Sequence, residues 1–328
     1  MKQYTEEQIK KAFSIFNSGS GLDHWSYSST STPFAKNLIN YTFSQDFRRS
    51  LNYSYKADFG NLVNNTNQYL VCYEKYLKEN EKIIIEDRDY DSRFNYELKI
   101  INEKDPIDKE DAFAREAMLD YAHACIDVTK KIVLEIMGKE KITCERFIRT
   151  KQKGMIKEIV GRIDYETGEV GKAETGKAKA GKAKNNNDDS KNRFIELKTK
   201  PPRTRKKRNE EEWTMYSQAL PTEPMLDHLT QTAYYYMATK KKPFLVYVND
   251  KEYVVFDDTH ELLKPDHLEQ LYYRMINKII TWESMIMFAE GNIYKLANMC
   301  EQPDLNHYFY YKNLAPEQTK LIKELWGI

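Results

Sequence analysis

The chain has 328 residues and a formal net charge of +1, which excludes a globally basic composition. This length is sufficient for one large domain or two small ones with a sizeable core. No apolar run is long enough to cross a bilayer, so no membrane segment is expected. The N-terminus has no signal-peptide core, and Glu6 and Glu7 disfavour a mitochondrial presequence.

Four cysteines are scattered along the chain without a CxxC pair: Cys72, Cys125, Cys144 and Cys300. This spacing disfavours disulfides and a zinc ribbon. We therefore expect an intracellular, reducing location. The cytoplasm of a phage- or virus-infected cell and the mitochondrion both stay open, because no clear targeting segment is present.

The first 140 residues predict mainly helices. Thr5 is a suitable N-cap for the first helix, and Gln8 completes a capping box. Gly138 is placed to end the clearest helix. The predicted elements are helices at 5–16, 34–47, 59–76 and 111–137, a loop at 17–33 and an irregular, charged stretch at 79–110.

Residues 142–150 alternate well enough for a strand, and two further apolar segments predict buried strands, Met155–Asp164 and Arg193–Thr199. The first of these two ends on Asp164, and the second carries Glu196 and Lys198. Side chains two residues apart on a strand share a face, so Glu196 and Lys198 are expected to point the same way.

Two carboxylates and a lysine at the ends of neighbouring strands have a chemical use. The carboxylates can bind Mg²⁺, with Mn²⁺ as an alternative. The lysine can orient and help to activate the water that attacks a phosphate. Taken singly, the Glu-x-Lys pair also fits a solvated strand face, and Asp164 also fits a turn cap.

A polar segment at residues 168–192 separates the two strands. It contains GKAETGK and GKAKAGK, which match the spacing of a phosphate-binding loop. We reject that interpretation because alanine follows each lysine where a Ser or Thr is needed, and because no apolar strand or helix flanks the motif. The segment is predicted to be a disordered insert.

A basic run follows the second strand: Arg203, Arg205, Lys206, Lys207 and Arg208. Its position after the proposed metal site favours contact with a nucleic-acid backbone over a merely solvated loop. Trp213 and Tyr216 follow and could stack on bases or pack internally.

The C-terminal part predicts a helix at 225–240, on which Gln231 and Tyr235 lie four residues apart and share a face. It continues with a hairpin over 243–256 that turns at Asn249–Asp250, and a long helix over 265–289. A last helix is expected near Ala315.

The ordered set Asp164, Glu196-x-Lys198 and Gln231-x-x-x-Tyr235 resembles the PD-(D/E)XK nuclease superfamily, in particular its RecB-type branch. Within that branch the chain is most similar to the mitochondrial genome maintenance exonuclease family and its phage-like relatives. The resemblance is carried by GRIDYE with IELKTK, by DHLTQTAYY and by FGNLVNNTNQYL, and covers roughly residues 55–285.

The resemblance implies that Asp164 and Glu196 bind the metal beside the carbonyl of Leu197, and that Lys198 positions the water. Gln231 and Tyr235 would bind the DNA strand or support the site. Relatives often carry a His and a Glu where this chain has Asn64 and Gln68, which therefore lack the same ligand chemistry. Some relatives hold an iron–sulfur cluster, but the scattered cysteines here argue against one.

We therefore expect an α/β fold with a PD-(D/E)XK restriction-endonuclease-like core, in which helices flank a mixed central sheet. The expected organisation is an N-terminal helical and loop region (1–54), the nuclease core (55–290) and a C-terminal helical tail (291–328). The expected function is that of a monomeric, Mg²⁺-dependent exonuclease that acts on single-stranded DNA or flap ends. A duplex-resecting recombination exonuclease, a structure-specific endonuclease and a non-catalytic DNA-binding protein on a degenerate nuclease fold are the alternatives.

Overall fold

A computed structural model describes residues 4–16, 22–51, 54–72, 74–78, 81–84, 89–138, 140–168, 192–206, 212–305, 311 and 314–328. These residues form an α/β fold with one mixed sheet between helices. Lys207, Arg208 and nearly all of the polar insert lie outside the described residues.

Runs of strands and runs of helices follow one another along the described chain. The strands are β1 (His24–Ser26), β2 (Glu74–Lys78), β3 (Glu81–Ile84), β4 (Thr143–Thr150), β5 (Glu158–Glu166), β6 (Arg193–Thr199), β7 (Arg203–Lys206), β8 (Trp213–Tyr216), β9 (Lys242–Val248) and β10 (Tyr253–Phe256). A 3₁₀ turn spans Glu261–Leu263.

The helices in the described part of the chain vary widely in length. They are α1 (Glu6–Phe13), α2 (Tyr27–Ser31), α3 (Phe34–Thr42), α4 (Gln45–Ser50), α5 (Tyr55–Val71), α6 (Tyr90–Asn102), α7 (Lys109–Ala117), α8 (Leu119–Met137), α9 (Leu226–Thr239), α10 (Pro265–Ala289), α11 (Ile293–Ala297) and α12 (Pro316–Trp326). None of them combines the length and apolar character that a membrane span requires.

Among the described residues, eight strands make one sheet in the order β10-β9-β6-β5-β4-β2-β3, with β1 alongside β5. The β6–β9 and β1–β5 pairs are parallel, whereas β5 is antiparallel to both β4 and β6. The remaining two strands, β7 and β8, form a separate antiparallel ribbon.

Each face of the sheet is covered by its own apolar cluster. One cluster contains Leu229 of α9 and Ile276 of α10, and the other contains Phe59 of α5 and Ile126 of α8. Both clusters exclude water from large apolar side chains, which is the main favourable contribution to folding. The sheet is therefore fixed between two helical layers, and functional residues can lie only at its ends or at gaps in its pairing.

Several predictions from local pattern are confirmed. Helix α1 begins after Thr5, whose main-chain N–H donates to Gln8 Oε1 at 2.9 Å in the predicted capping box. Strand β6 and helix α10 have the predicted bounds. The long helix predicted over 111–137 is instead divided between α7 and α8 at Met118.

The prediction of a loop over residues 17–33 is wrong for residues 24–31. Strand β1 has three residues, of which only Trp25 is fully buried, and the serine-rich α2 follows it directly. Ser26 supplies an N-cap by accepting the Ser29 N–H. This part of the N-terminal region therefore belongs to the central sheet, where β1 lies alongside β5.

The expectation that the cysteines lie too far apart for a disulfide is wrong for one pair. Cys72, at the end of α5, contacts Cys144 on β4, and their Cα atoms are 5.9 Å apart. That separation is typical of a disulfide. Cys125 and Cys300 are not bridged. The pair was invisible in the sequence because 72 residues separate its members.

Candidate active site

The candidate site lies where β5 changes its neighbour along one edge. On its other edge, β5 pairs with β4 from Ile159 to Glu166. On the site edge, β1 pairs with residues 158–160 and β6 pairs only with Tyr165 and Glu166. Within the described part of the chain, residues 161–164 therefore have no strand partner on this edge, and their polar groups must be satisfied by side chains or ligands.

A tyrosine from α9 fills part of this gap. The Tyr235 hydroxyl accepts the Arg162 N–H at 3.1 Å and donates to the Arg162 carbonyl oxygen at 2.5 Å. Tyr235 is fully buried. Gly161 permits the close approach, because a Cβ there would lie 2.8 Å from the rings of Tyr234 and Tyr235. Of the two predicted roles for Tyr235, this geometry favours support of the site over direct contact with a DNA strand.

Asp164 and Glu196 lie at the point where β5 and β6 separate. Continuing the β5–β6 register places them opposite each other, and the Leu197 N–H donates to Asp164 Oδ2 at 2.8 Å. Glu196 is fully buried. Its Oε1 pairs with Lys198 Nζ, whereas its Oε2 has no partner within the described structure. A buried carboxylate oxygen without a donor is unusual in folded proteins and marks a position for a ligand.

The pKa values of the two carboxyl groups reflect this crowding. Burial, followed by the charge of Glu196, raises the pKa of Asp164 well above its usual range. Burial also raises the pKa of Glu196, although Lys198 opposes the shift. The site therefore holds negative charge that the protein alone does not fully compensate.

Lys198 is the cation nearest to these carboxylates. Its Nζ pairs with Glu196 and donates to Gln231 Oε1 at 2.7 Å. Burial lowers the pKa of Lys198, but the charges of Glu196, Tyr27 and Asp164 outweigh that effect, and the pKa is raised. Lys198 therefore stays protonated at neutral pH and acts as a donor and a fixed charge rather than as a base.

A cavity of about 450 Å³ opens onto these groups. It brings together Asp164, Glu196, Leu197, Lys198, Gln231, Tyr235 and Asn64 from the sequence prediction, and it adds Tyr27, Gly60, Asn61, Arg162 and Thr199. Tyr27 and Arg162 were missed. Arg162 lies two residues before Asp164 and is 54% exposed, so a period-two pattern could have indicated it.

The two helical positions that depart from the family pattern have different places. Asn64 lines the cavity, and its Oδ1 accepts the Tyr165 hydroxyl proton at 3.0 Å. Gln68 does not line the cavity. It is fully buried, and its Nε2 donates to Glu145 Oε1 at 2.6 Å. Both residues therefore position neighbours of Asp164.

Glu145 is an acidic residue near the site that the sequence analysis did not single out. The β4–β5 register places it opposite Asp164, its φ is +54°, and its charge raises the pKa of Asp164. A non-glycine residue in the left-handed region is strained and marks a position that is fixed by its surroundings. The positive φ of Glu145 draws attention to this residue, and no local sequence pattern predicts that backbone conformation.

The first part of the basic run forms strand β7, which pairs with β8 in the ribbon. Four residues separate Lys198 from Arg203, where β7 begins. Arg203, Arg205 and Lys206 are exposed. Arg203 pairs with Tyr216, which is 45% exposed. Thr204 donates to Glu110, and Tyr121 donates to the Met215 carbonyl oxygen at 2.9 Å, so the other face of the ribbon is anchored to the helical layer.

The donor set suits a hard divalent cation. Asp164 and Glu196 offer carboxylate oxygens, and the partnerless Glu196 Oε2 is the observation that favours a bound cation. The described residues contain no group of three or more His, Cys, Asp or Glu side chains that could hold a metal. A cation here would therefore need main-chain, water or substrate oxygens as further ligands.

Comparison of the chain with protein-family models, with curated proteins and with solved structures gave no match.

Proposed function

We propose that this protein is a metal-dependent deoxyribonuclease that hydrolyses phosphodiester bonds, and that it acts as an exonuclease on single-stranded DNA or flap ends. The observation that carries the proposal is the convergence of Asp164, Glu196 and Lys198 in one cavity with a buried carboxylate oxygen left without a partner. A structural role alone would leave that oxygen unexplained.

The proposed metal is Mg²⁺, with Mn²⁺ as a substitute, held by Asp164 and Glu196 beside the carbonyl of Leu197. When bound, it would supply positive charge to the scissile phosphate and lower the barrier to attack by water. The Leu197 N–H holds Asp164 Oδ2 in place at 2.8 Å. This contact supports the metal site by fixing one ligand before the cation arrives.

Lys198 has the role of orienting water and stabilising charge. Its two ordered contacts, with Glu196 and Gln231, fix the ammonium group at the cavity wall. Since an ammonium group has three N–H donors, one is left for a water molecule or a phosphate oxygen. A fixed cation in a water-poor site stabilises the developing negative charge more strongly than it would in water.

The fold is compatible with the PD-(D/E)XK core that the motifs resemble. The acidic and lysine residues come from antiparallel neighbours β5 and β6, and the Gln231 helix, α9, packs on the same sheet. The exposed ribbon arginines, Arg203 and Arg205, add positive charge to the surface shortly after Lys198 in the chain. They support backbone contact by a strand that approaches the site.

The proposal can be tested by incubating the purified protein with end-labelled single strands, duplexes and a covalently closed single-stranded circle. Each reaction is run with Mg²⁺, with Mn²⁺ and with chelator. We expect metal-dependent loss of linear single strands and survival of the circle. Nicking of the circle would indicate an endonuclease, and preference for duplex ends would indicate a recombination exonuclease.

One observation favours a second candidate, a DNA-binding protein on a degenerate nuclease fold. Asn64 and Gln68 replace the helical ligands of the family it resembles, and the structure uses both as hydrogen-bonding supports. Tight binding of DNA without cleavage in either metal would select this candidate. The intact Asp164, Glu196 and Lys198 favour the enzyme.

A further inference from the structure

The cavity is closed on one side by a residue from the N-terminal segment. Strand β1 runs parallel to β5 and ends at Ser26, opposite Val160, which is where the unpaired stretch of β5 begins. The next residue, Tyr27, therefore lies at the end of the unpaired stretch that is opposite to the end where β6 pairs. It lines the cavity together with Asp164, Glu196 and Lys198.

The segment that carries Tyr27 is held by a buried carboxylate. Trp25 Nε1 donates to Glu283 Oε1 at 3.0 Å, and the main-chain N–H of Ile156 donates to Glu283 Oε2 at 2.6 Å. Lys157 N–H adds a third bond to Glu283 at 2.7 Å. Helix α10 thus fastens β1 and the start of β5 to each other. This arrangement fixes where Tyr27 enters the cavity.

The Tyr27 ring and hydroxyl are also positioned. Its ring meets the Tyr235 ring edge-on with centroids 6.2 Å apart. The Gln231 side chain lies near its hydroxyl and lowers the pKa of Tyr27. Gln231 Oε1 already accepts from Lys198, and Gln231 Nε2 also approaches the Tyr235 hydroxyl at 3.3 Å.

The cavity has hydrogen-bond donors and acceptors that the described residues do not use and that a ligand could contact. The Tyr235 proton goes to the Arg162 carbonyl oxygen. Gln231 Oε1 accepts from Lys198 and Gln231 Nε2 donates to Tyr235, and no described residue accepts the Tyr27 hydroxyl proton. The cavity thus presents acceptors, from Asp164 and Glu196, on the β6 side and a free phenolic donor on the β1 side.

We propose that Tyr27 is a catalytic residue whose hydroxyl donates a hydrogen bond to a non-bridging oxygen of the scissile phosphate. This rests on the proposed function, because the acceptor is a phosphodiester. A phosphate beside Asp164 and Glu196, which would hold the cation, would then face the Tyr27 and Lys198 donors. Such a donor is most effective when charge on the phosphate oxygens increases in the transition state.

The state of the phenol is consistent with this role. Burial raises the pKa of Tyr27 to about 12, and the charge of Lys198 opposes the shift. The hydroxyl therefore keeps its proton throughout the neutral range and donates it in a hydrogen bond without giving it up.

The test compares Tyr27→Phe with a matched control, Tyr41→Phe. Tyr41 lies in the same N-terminal region, is partly buried, and bonds through its hydroxyl to Ser29 at 2.8 Å, but it does not line the cavity. Four quantities are measured: kcat and KM on a labelled single strand with Mg²⁺, melting temperature, and affinity for the same oligonucleotide in chelator.

We expect Tyr27→Phe to lower kcat by about 10- to 100-fold, the loss typical of one hydrogen bond to a charged group. KM, melting temperature and affinity in chelator should stay close to the wild-type values, and Tyr41→Phe should keep the wild-type kcat. With a phosphorothioate at the cleaved linkage, one diastereomer should reduce the difference between Tyr27→Phe and wild type, because sulfur accepts hydrogen bonds poorly.

Two outcomes would overturn the assignment while the proposed function stands. The first is wild-type kcat in Tyr27→Phe. The second is a fall in kcat matched by a fall in melting temperature, or by the same fall in Tyr41→Phe, which would indicate a structural role. A wild-type protein that cleaves no substrate with Mg²⁺ or Mn²⁺ would overturn the proposed function and the Tyr27 assignment together.

Discussion

Two buried glutamates on adjacent strands have opposite surroundings. Glu166 on β5 accepts from Arg146 through both of its oxygens and from Lys241 Nζ at 2.8 Å. Glu196 on β6 has one ion pair, with Lys198, and one oxygen without a partner. Both side chains are fully buried. The comparison separates a carboxylate whose charge the fold satisfies from one whose charge is left for a ligand.

The largest expected difference between the two glutamates is in cleavage. Glu196→Gln and Lys198→Ala should each lower kcat by about 10³-fold or more, because the first removes a charged ligand of the proposed cation and the second removes a positive charge that stabilises the transition state. Glu166→Gln makes the same chemical change as Glu196→Gln and should keep cleavage at temperatures where it remains folded. End-labelled single strands with Mg²⁺ provide the measurement. Equal losses in both glutamine variants would contradict the assignment of the site.

For the free energy of unfolding we expect the larger loss at Glu166 and the smaller loss at Glu196. Glu166→Ala leaves Arg146 and Lys241 buried without their anion, which should lower the free energy of unfolding by about 3–5 kcal/mol. Glu196→Gln removes a carboxylate that is already under-satisfied, so its loss of stability in chelator should be much smaller. Urea unfolding followed by circular dichroism measures both. A Glu196→Gln variant as unstable as Glu166→Ala would mean that Glu196 is mainly structural.

Asp164 provides a test of the charge left in the site. Its pKa is raised in the folded protein, so the folded state binds more protons than the unfolded state between the two pKa values. Stability without metal therefore falls as pH rises through that range. Asp164→Asn should raise the melting temperature in chelator at pH 8 and flatten its decline from pH 5 to pH 8.

The same melting temperatures measured with Mg²⁺ test whether Asp164 binds the cation. A cation that binds the folded state stabilises it by mass action, so Mg²⁺ should raise the melting temperature of wild type. In Asp164→Asn this rise should be small, because one ligand has lost its charge. A variant less stable than wild type in chelator would show that Asp164 contributes more through its bond to Leu197 than it loses through burial.

The contrast between these residues also explains what the sequence could predict. Asp164, Glu196, Lys198 and Gln231 were singled out because they follow one another in motifs that resemble a nuclease family. Strand and helix periodicity then placed Glu196 with Lys198, and Gln231 with Tyr235, on shared faces. Tyr27 could not be found in this way. It reaches the site through parallel pairing of β1 with β5, more than 130 residues further along the chain, and a three-residue strand in a serine-rich stretch has no local signature.

In the fold, too, features with a local sequence pattern were predicted and features that depend on long-range packing were not. Long, strongly periodic elements such as α10 were predicted with their bounds. The contact between Cys72 and Cys144 depends on long-range packing and was not predicted. Glu166 was not singled out either, since its partners are Arg146 on β4 and Lys241 just before β9, and only the sheet order brings these two close to β5.

The smallest expected effect concerns charges that are neither buried nor in the cavity. Arg205 on the ribbon and Arg274 on α10 are both exposed, so replacing either with Glu changes net charge equally and should leave stability nearly unchanged. If the ribbon contacts the DNA backbone, Arg205→Glu should reduce the slope of log affinity against log salt by about one unit. Arg274→Glu should leave the slope unchanged.

Tyr216 separates backbone contact from stacking on the same ribbon. It lies on the exposed ribbon face opposite Arg203. If its ring stacks on a base, Tyr216→Ala should weaken binding by about 1–3 kcal/mol at every salt concentration and leave the slope intact. Anisotropy titrations of a labelled single strand in chelator measure both quantities. Unchanged affinity and slope in Arg205→Glu and Tyr216→Ala would make the ribbon a solvated hairpin and confine the DNA contact to the cavity.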